Sequence, residues 1–192
     1  MTIQSVPLEK AYRLLNHGPT VLVSAKYQNI ENVMAASWAC ALDFSPAKVS
    51  IVLDKLASTR CLVEQSGWFA LQIPIVKQAQ LVINVGSESL RNSPDKLKKC
   101  GVSLFYQDNL PTPLVVGCAA WLICRLIPEP HNQQTHDLFI GEVISAWADD
   151  QIFENGHWRF DHVTRELKTL HYVAGGQFYI IGQGLKVNKD IS

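Results

Sequence analysis

Excess charge is the first thing this chain lacks, because its 17 basic and 17 acidic side chains cancel. With no net positive charge, and no Lys/Arg cluster beyond Lys96, Lys98 and Lys99, it has no electrostatic footprint for a nucleic-acid backbone. That short lysine group reads as the solvated face of a helix. Long apolar runs are missing as well. Leu110 to Cys124 is 15 residues without a charge and contains two prolines, short of the ~20 needed to cross a bilayer, and is expected to be a core strand. Met1 to Pro7 shows no basic segment leading into an apolar one, so a secretory leader is not expected.

Paired cysteines are absent too. The five present (Cys40, Cys61, Cys100, Cys118, Cys124) are an odd set with no C-x-x-C spacing, which argues against a disulfide framework and a zinc site. Free thiols and a cytoplasmic location are expected. No Gly-x-Ser-x-Gly elbow, phosphate loop or His-Glu-x-x-His helix occurs, so serine hydrolase, P-loop nucleotidase and zinc protease chemistry lack their carriers. Gly182-Gln183-Gly184 is a fragment of a dinucleotide fingerprint with no helix and strand pattern after it. His131 and His136, like His157 and His162, are spaced by five and belong to different local patterns. No metal is expected.

What is present describes a globular chain, 47% hydrophobic and 18% charged over 192 residues, of a size for one domain with a sizeable core. No repeat or composition break marks a second domain across 1–192, and the tail after Leu185 is polar and expected to fray. Pro7 to about Asn16 reads as a helix stopped by Gly18-Pro19, and Val21 to Tyr27 as a strand. Further strands are expected near 32–42, 49–54, 68–73, 102–106, 119–127 and 138–148, with short helices near 58–66, 76–84 and 94–100. Many strands with few helices predict a mainly β chain of the α+β class, closed into a barrel.

Asn32 to Pro46 carries the most information. Ala35, Ala36 and Ser37 would let a flat ligand approach the backbone, and Trp38 could pack against the segment that holds it. Read alone, Trp38 is more readily an ordinary core aromatic. Ser58 or Thr59 would cap the helix that Gly67 ends. Such a helix start, with two hydroxyls and the Arg60 guanidinium, can receive a phosphate on its unpaired amides, although it also reads as a plain capped helix.

The pattern Asn32-x-Met34-x-x-Ser37-Trp38 resembles the flavin reductase-like family, whose members bind FMN in a split β-barrel. The phosphate helix at 58–66, the strand Trp68 to Pro74 and Ser93-Pro94-Asp95-Lys96-Leu97 follow in the family's order, with Leu97 where Phe is usual. His136-Asp137-Leu138-Phe139-Ile140-Gly141-Glu142-Val143 resembles the family's His-x-x-Phe-x-Gly-Glu-Val strand, and Tyr172 to Tyr179 its closing aromatic-glycine loop. The resemblance covers about residues 5–182. Gln28-Asn29-Ile30-Glu31 departs from it, lacking the glycine often found there.

The resemblance implies FMN held by Asn32, Met34, Ala35, Ser37 and Trp38 along the ring and ribityl chain, with Thr59, Ser58, Arg60 and Lys96 at the phosphate. His136 and the 172–179 loop would border the ring, and family members are usually homodimers with pockets near the interface. The implied function is electron transfer, either as an NAD(P)H-dependent flavin reductase or as a flavoredoxin-like carrier with a redox partner protein. A non-enzymatic flavin-binding or sensor module is the alternative. The chemistry belongs to the flavin, so no catalytic side chain is expected.

Overall fold

The computed structural model describes residues 2–187. Its strands are β1 (Ile3–Ser5), β2 (Val21–Tyr27), β3 (Ile30–Ala36), β4 (Ala39–Phe44), β5 (Ala47–Val52), β6 (Trp68–Ile73), β7 (Leu104–Phe105), β8 (Leu114–Val115), β9 (Ala120–Ile127), β10 (Leu138–Asp149), β11 (Phe153–Glu154), β12 (His157–Trp158), β13 (Leu170–Ala174) and β14 (Gln177–Ile180). The helices are α1 (Leu8–Ala11), α2 (Ser58–Ser66), α3 (Ala79–Ser87), α4 (Lys96–Lys99) and α5 (Pro130–His136).

One antiparallel sheet runs in the order β3-β2-β6-β9-β10-β5-β4, with β1 added along β10. Its first and last strands are consecutive in the chain, joined by Ser37 and Trp38 alone. The sheet therefore curls until its two ends meet at one corner, covalently linked but not hydrogen-bonded strand to strand, which is the split barrel expected. Alternation explains how the barrel is filled. Val21, Val23, Phe69, Leu71, Leu122 and Cys124 point into the interior. Their neighbours Leu22, Ala70, Trp121 and Ile123 point outwards against Val82 and Val85 of α3 and against Leu114.

Both faces of β2, β6 and β9 are thus buried, and the polar groups among them are paired. Gln72 Nε2 donates to Ser24 Oγ at 2.9 Å and Ser24 Oγ to the Pro113 carbonyl at 2.5 Å. The Trp121 indole donates to the Val115 carbonyl at 2.8 Å. Each such bond contributes about 1 kcal/mol net, and together they hold the segment before β9 on the outer face.

Several expectations shift. The strand expected over 32–42 breaks at Ser37–Trp38, where the chain passes from one end of the sheet to the other. The uncharged run Leu110 to Cys124 is two short pieces, because Gly117 turns the chain at φ +88° between β8 and β9. The first helix shrinks to α1 and a following 3-10 turn, Tyr12–Leu14. Without its glycine, the β2–β3 turn places Gln28 in the left-handed region at φ +53°. Of the polar tail expected after Leu185, residues 188–192 lie outside the described residues.

Candidate functional site

β3 lies at one end of the sheet, and α2 and α3 both pack beside it. The approach of α3 is close: a Cβ on Gly86 would stand 3.3 Å from that of Ala35. The small residues expected to admit a ligand thus also let a helix lie against the strand. Two clefts flank this crossing and share Ala35, Gly86 and Ser87. The inner cleft, about 190 Å³, is lined by Asn32, Met34, Ser58, Thr59 and Lys96 together with the end of α3 and the residues after it, Glu88 to Leu90. The outer cleft, about 200 Å³, is bounded by Thr20, Ser37, Ile83, Tyr172 and Phe178.

The inner cleft is unusual in its polar groups. Lys96 is only 2% exposed, yet among the described residues its ammonium has no ion pair and no hydrogen bond. Burial pulls its pKa below the usual lysine value, with Cys100 and Glu88 acting in the opposite direction. Asn32 Oδ1 and Ser58 Oγ are buried without partners. A lone buried polar atom costs about 1–3 kcal/mol, so one cation and two orphaned oxygens in one cleft carry a cost that no group among the described residues offsets.

Local sequence explains the arrangement. Asp54 turns the chain into α2 by accepting from the Leu56 amide at 2.7 Å through its side chain and from the Ala57 amide at 2.9 Å through its carbonyl. The helix is capped by Ala57, with no side-chain cap, which corrects the assignment of that role to Ser58 or Thr59. Thr59 instead accepts from Asn32 Nδ2 at 2.9 Å, fixing the amide that faces the cleft and tying α2 to β3. Among the described residues, the amides of Ser58 and Thr59 have no backbone acceptor. They remain the unpaired donors of a helix start.

Three of the expected site residues lie elsewhere. Arg60 turns away from the cleft: Nε bonds Glu64 at 2.9 Å, while the terminal nitrogens reach Asp137, the Leu53 carbonyl and the Gln133 carbonyl at 2.5, 3.1 and 2.7 Å. Its guanidinium is consumed in fastening α2 to α5, to the Asp137 that ends α5, and to Leu53 just after β5. His136 does not start a strand. Pro130 opens a helix that His136 ends, and Asp137 leaves it at φ +54°; the ring sits edge-on to His131 at 5.8 Å and lines neither cleft. Trp38 is 73% exposed, so the expected packing against its own segment does not occur at the barrel corner.

The lysine group is likewise divided, because Lys98 and Lys99 are exposed while Lys96 is buried. Tyr172 and Phe178, on the two strands of the closing hairpin, do line the outer cleft. Sequence reading missed Gly86 to Leu90. The only signal was a run of small and polar residues, which any helix end can show.

A family model for the flavin reductase like domain matches residues 13–177. The chain belongs to the flavin reductase-like family. The 1.50 Å crystal structure of an FMN-binding domain of flavin reductases-like enzyme from Shewanella baltica OS155 is 57% identical to this flavin reductase-like chain, covers 97% of it and 98% of its own length, and superposes with a TM-score of 0.96. The uncharacterised YddH protein of Escherichia coli (strain K12) is 40% identical over 181 residues, 93% of this chain and 94% of its own. Flavoredoxin of Desulfovibrio vulgaris (Miyazaki F) shares the fold at 21% identity and a TM-score of 0.75, covering 88% of this chain and 90% of its own.

Proposed function

We propose that this family member binds FMN along β3 and works as an electron-transfer oxidoreductase. The observation that carries the reading is the inner cleft, where the buried, unpaired Lys96 meets Ser58 Oγ and the free amides that open α2. A dianionic phosphate completes all of these groups at once, by charge-assisted hydrogen bonds and by the helix dipole. The 57% identical domain from Shewanella baltica, named as FMN-binding, supports the same ligand. Bound there, FMN would supply redox chemistry that no side chain of the site can perform.

The chain's own residues supply position and electrostatics. Asn32, held by Thr59, presents its free Oδ1 to a ribityl hydroxyl. Ala35, Ser37 and the backbone between them leave room for a flat ring, and Tyr172 and Phe178 screen the outer cleft from water. The cation at Lys96 lies at the phosphate end, so the protein's positive charge anchors the ligand. NAD(P)H is the proposed electron donor of a reductase, and a redox protein the partner of a flavoredoxin-like carrier.

Affinity for FMN and for riboflavin, measured by flavin fluorescence on the apoprotein, tests the reading. Lys96→Met and Ser58→Ala should each weaken FMN by about tenfold, or 1.4 kcal/mol, and leave riboflavin nearly unchanged. FMN affinity that ignores both substitutions overturns the phosphate assignment. Bleaching of the flavin by NADH or NADPH identifies a reductase, and its absence leaves the carrier or a binding module.

A further inference from the structure

The closing hairpin of β13 and β14 is held unevenly. Its base is fixed: Leu170 is buried, the Thr20 amide donates to the Leu170 carbonyl at 2.8 Å, and His171 Nδ1 lies 3.0 Å from the Gly18 carbonyl. One residue further along, the Tyr172 amide donates to Thr20 Oγ1 at 2.7 Å. Past that point the ties stop. Among the described residues, no hydrogen bond joins 173–180 to anything outside the hairpin.

Thr20 Oγ1 is therefore the outermost hydrogen-bonded hold on an arm that carries two rings. Tyr172 and Phe178 are register partners across the hairpin, set edge to face with centroids 5.3 Å apart, so the pair moves together. Both line the outer cleft, and so does Thr20, which is itself only 3% exposed. Phe178 also packs against the core around Val82, but apolar contact is non-directional, whereas the hydrogen bond fixes how the strand leaves the barrel. Valine has a similar shape and suits the start of β2 equally well. Packing alone does not call for a hydroxyl here.

We infer that Thr20 is a positioning residue: through the Tyr172 amide it holds the Tyr172–Phe178 pair over the outer cleft and limits what reaches the face of a flat ring lying along Ala35 to Ser37. This rests on the ring placement proposed above and adds the residue that controls access to it. Thr20→Val removes the acceptor while keeping the shape and the backbone bond to Leu170, and Thr20→Ser keeps the acceptor. Amide hydrogen exchange of the apoprotein reads the hold directly. In Thr20→Val the Tyr172 amide should exchange about fivefold faster or more, with the Thr20 amide unchanged, and Thr20→Ser should restore the wild-type rate. Iodide quenching of flavin fluorescence, on protein saturated with FMN, reads access; its quenching constant should roughly double in Thr20→Val and return in Thr20→Ser. Tyr172 exchange that ignores Thr20→Val overturns the inference, as does faster exchange with quenching unchanged. Apoprotein that takes up no FMN is a different failure: it overturns the proposed function and the access role together, while the Tyr172 amide still reports whether Thr20 holds the hairpin.

Discussion

At the scale of single residues, the site depends on which polar groups are left unsatisfied rather than on which are present. Arg60 and Lys96 are both cations near α2, yet the fold spends one on its own carboxylate and carbonyls and leaves the other free. Arg60→Ala is therefore expected to act as a structural lesion. It strands Asp137 and two buried carbonyls and should lower unfolding free energy by about 3 kcal/mol in urea titrations. Where the variant remains folded, FMN and riboflavin should lose affinity alike; a loss confined to FMN would return Arg60 to the phosphate.

His17 makes a second prediction at this scale. Its Nδ1 is sealed without a partner, its Nε2 meets Thr169 Oγ1 at 3.1 Å, and the Trp158 ring packs edge-on at 5.0 Å. Burial, with a smaller contribution from neighbouring His171, depresses its pKa from 6.5 to about 3. The folded state resists the proton that the unfolded state accepts, so stability is complete above pH 6.5 and declines as the pH falls towards 3. At pH 5 the loss should approach about 2 kcal/mol. Urea unfolding at pH 7.5 and pH 5.0 measures it, and a His17→Asn variant should lack that increment; equal losses in the two proteins would exclude His17 as its source.

Among the elements, β10 shows how a sheet can hinge on one missing side chain. Gly141 lies in the barrel wall, where a Cβ would stand 2.5 Å from Phe69 Cζ and 2.9 Å from Cys124 Cβ. Phe69 is fully buried in the barrel interior, so its ring cannot swing into solvent to make room. Gly141→Ala should destabilise by about 1–3 kcal/mol through overpacking, and a Phe69→Leu change should recover part of that in the double variant. Simple additivity of the two penalties in chemical denaturation would mean that the contact is not the cause.

The same scale shows how far sequence reading reached. Val21–Tyr27, Trp68–Ile73 and Leu138–Asp149 were legible because each is a strand whose pattern of apolar residues is long or alternating. α2 was legible from its polar start and Gly67, which ends it at φ +72°. The break at Ser37–Trp38 was not, since a strand and a barrel corner are made from the same small and aromatic residues. Nor was α5, where Pro130 as a helix opener had to be weighed against a family-like strand motif that begins six residues later, at His136.

For the whole molecule, the open question is what covers the exposed apolar groups at the barrel corner. Trp38, Leu42 and Phe44 are 73%, 53% and 64% exposed, and Tyr179 and Val173 of the closing hairpin are 62% and 57% exposed. A monomer seldom leaves this much large apolar surface in water. We propose a homodimer that covers it, and light scattering at micromolar concentration should report twice the chain mass. A Leu42→Asp, Phe44→Asp variant should shift that mass to one chain; wild-type protein already at one chain mass would exclude the dimer.

Sequence by itself determined the class of fold, the position of α2 in the chain, and the family pattern from Asn32 to Trp38. These follow from local periodicity, caps and motif spacing, which are properties of neighbouring residues. Tertiary structure alone decided that Lys96 is buried and unpaired while Arg60 is consumed, that the end of α3 walls the cleft, and that Trp38 stands in solvent. Pairing and burial depend on residues distant in the chain, such as Arg60 with Asp137 or Ala35 with Gly86, and no local pattern encodes which partner a side chain will meet when the sheet closes.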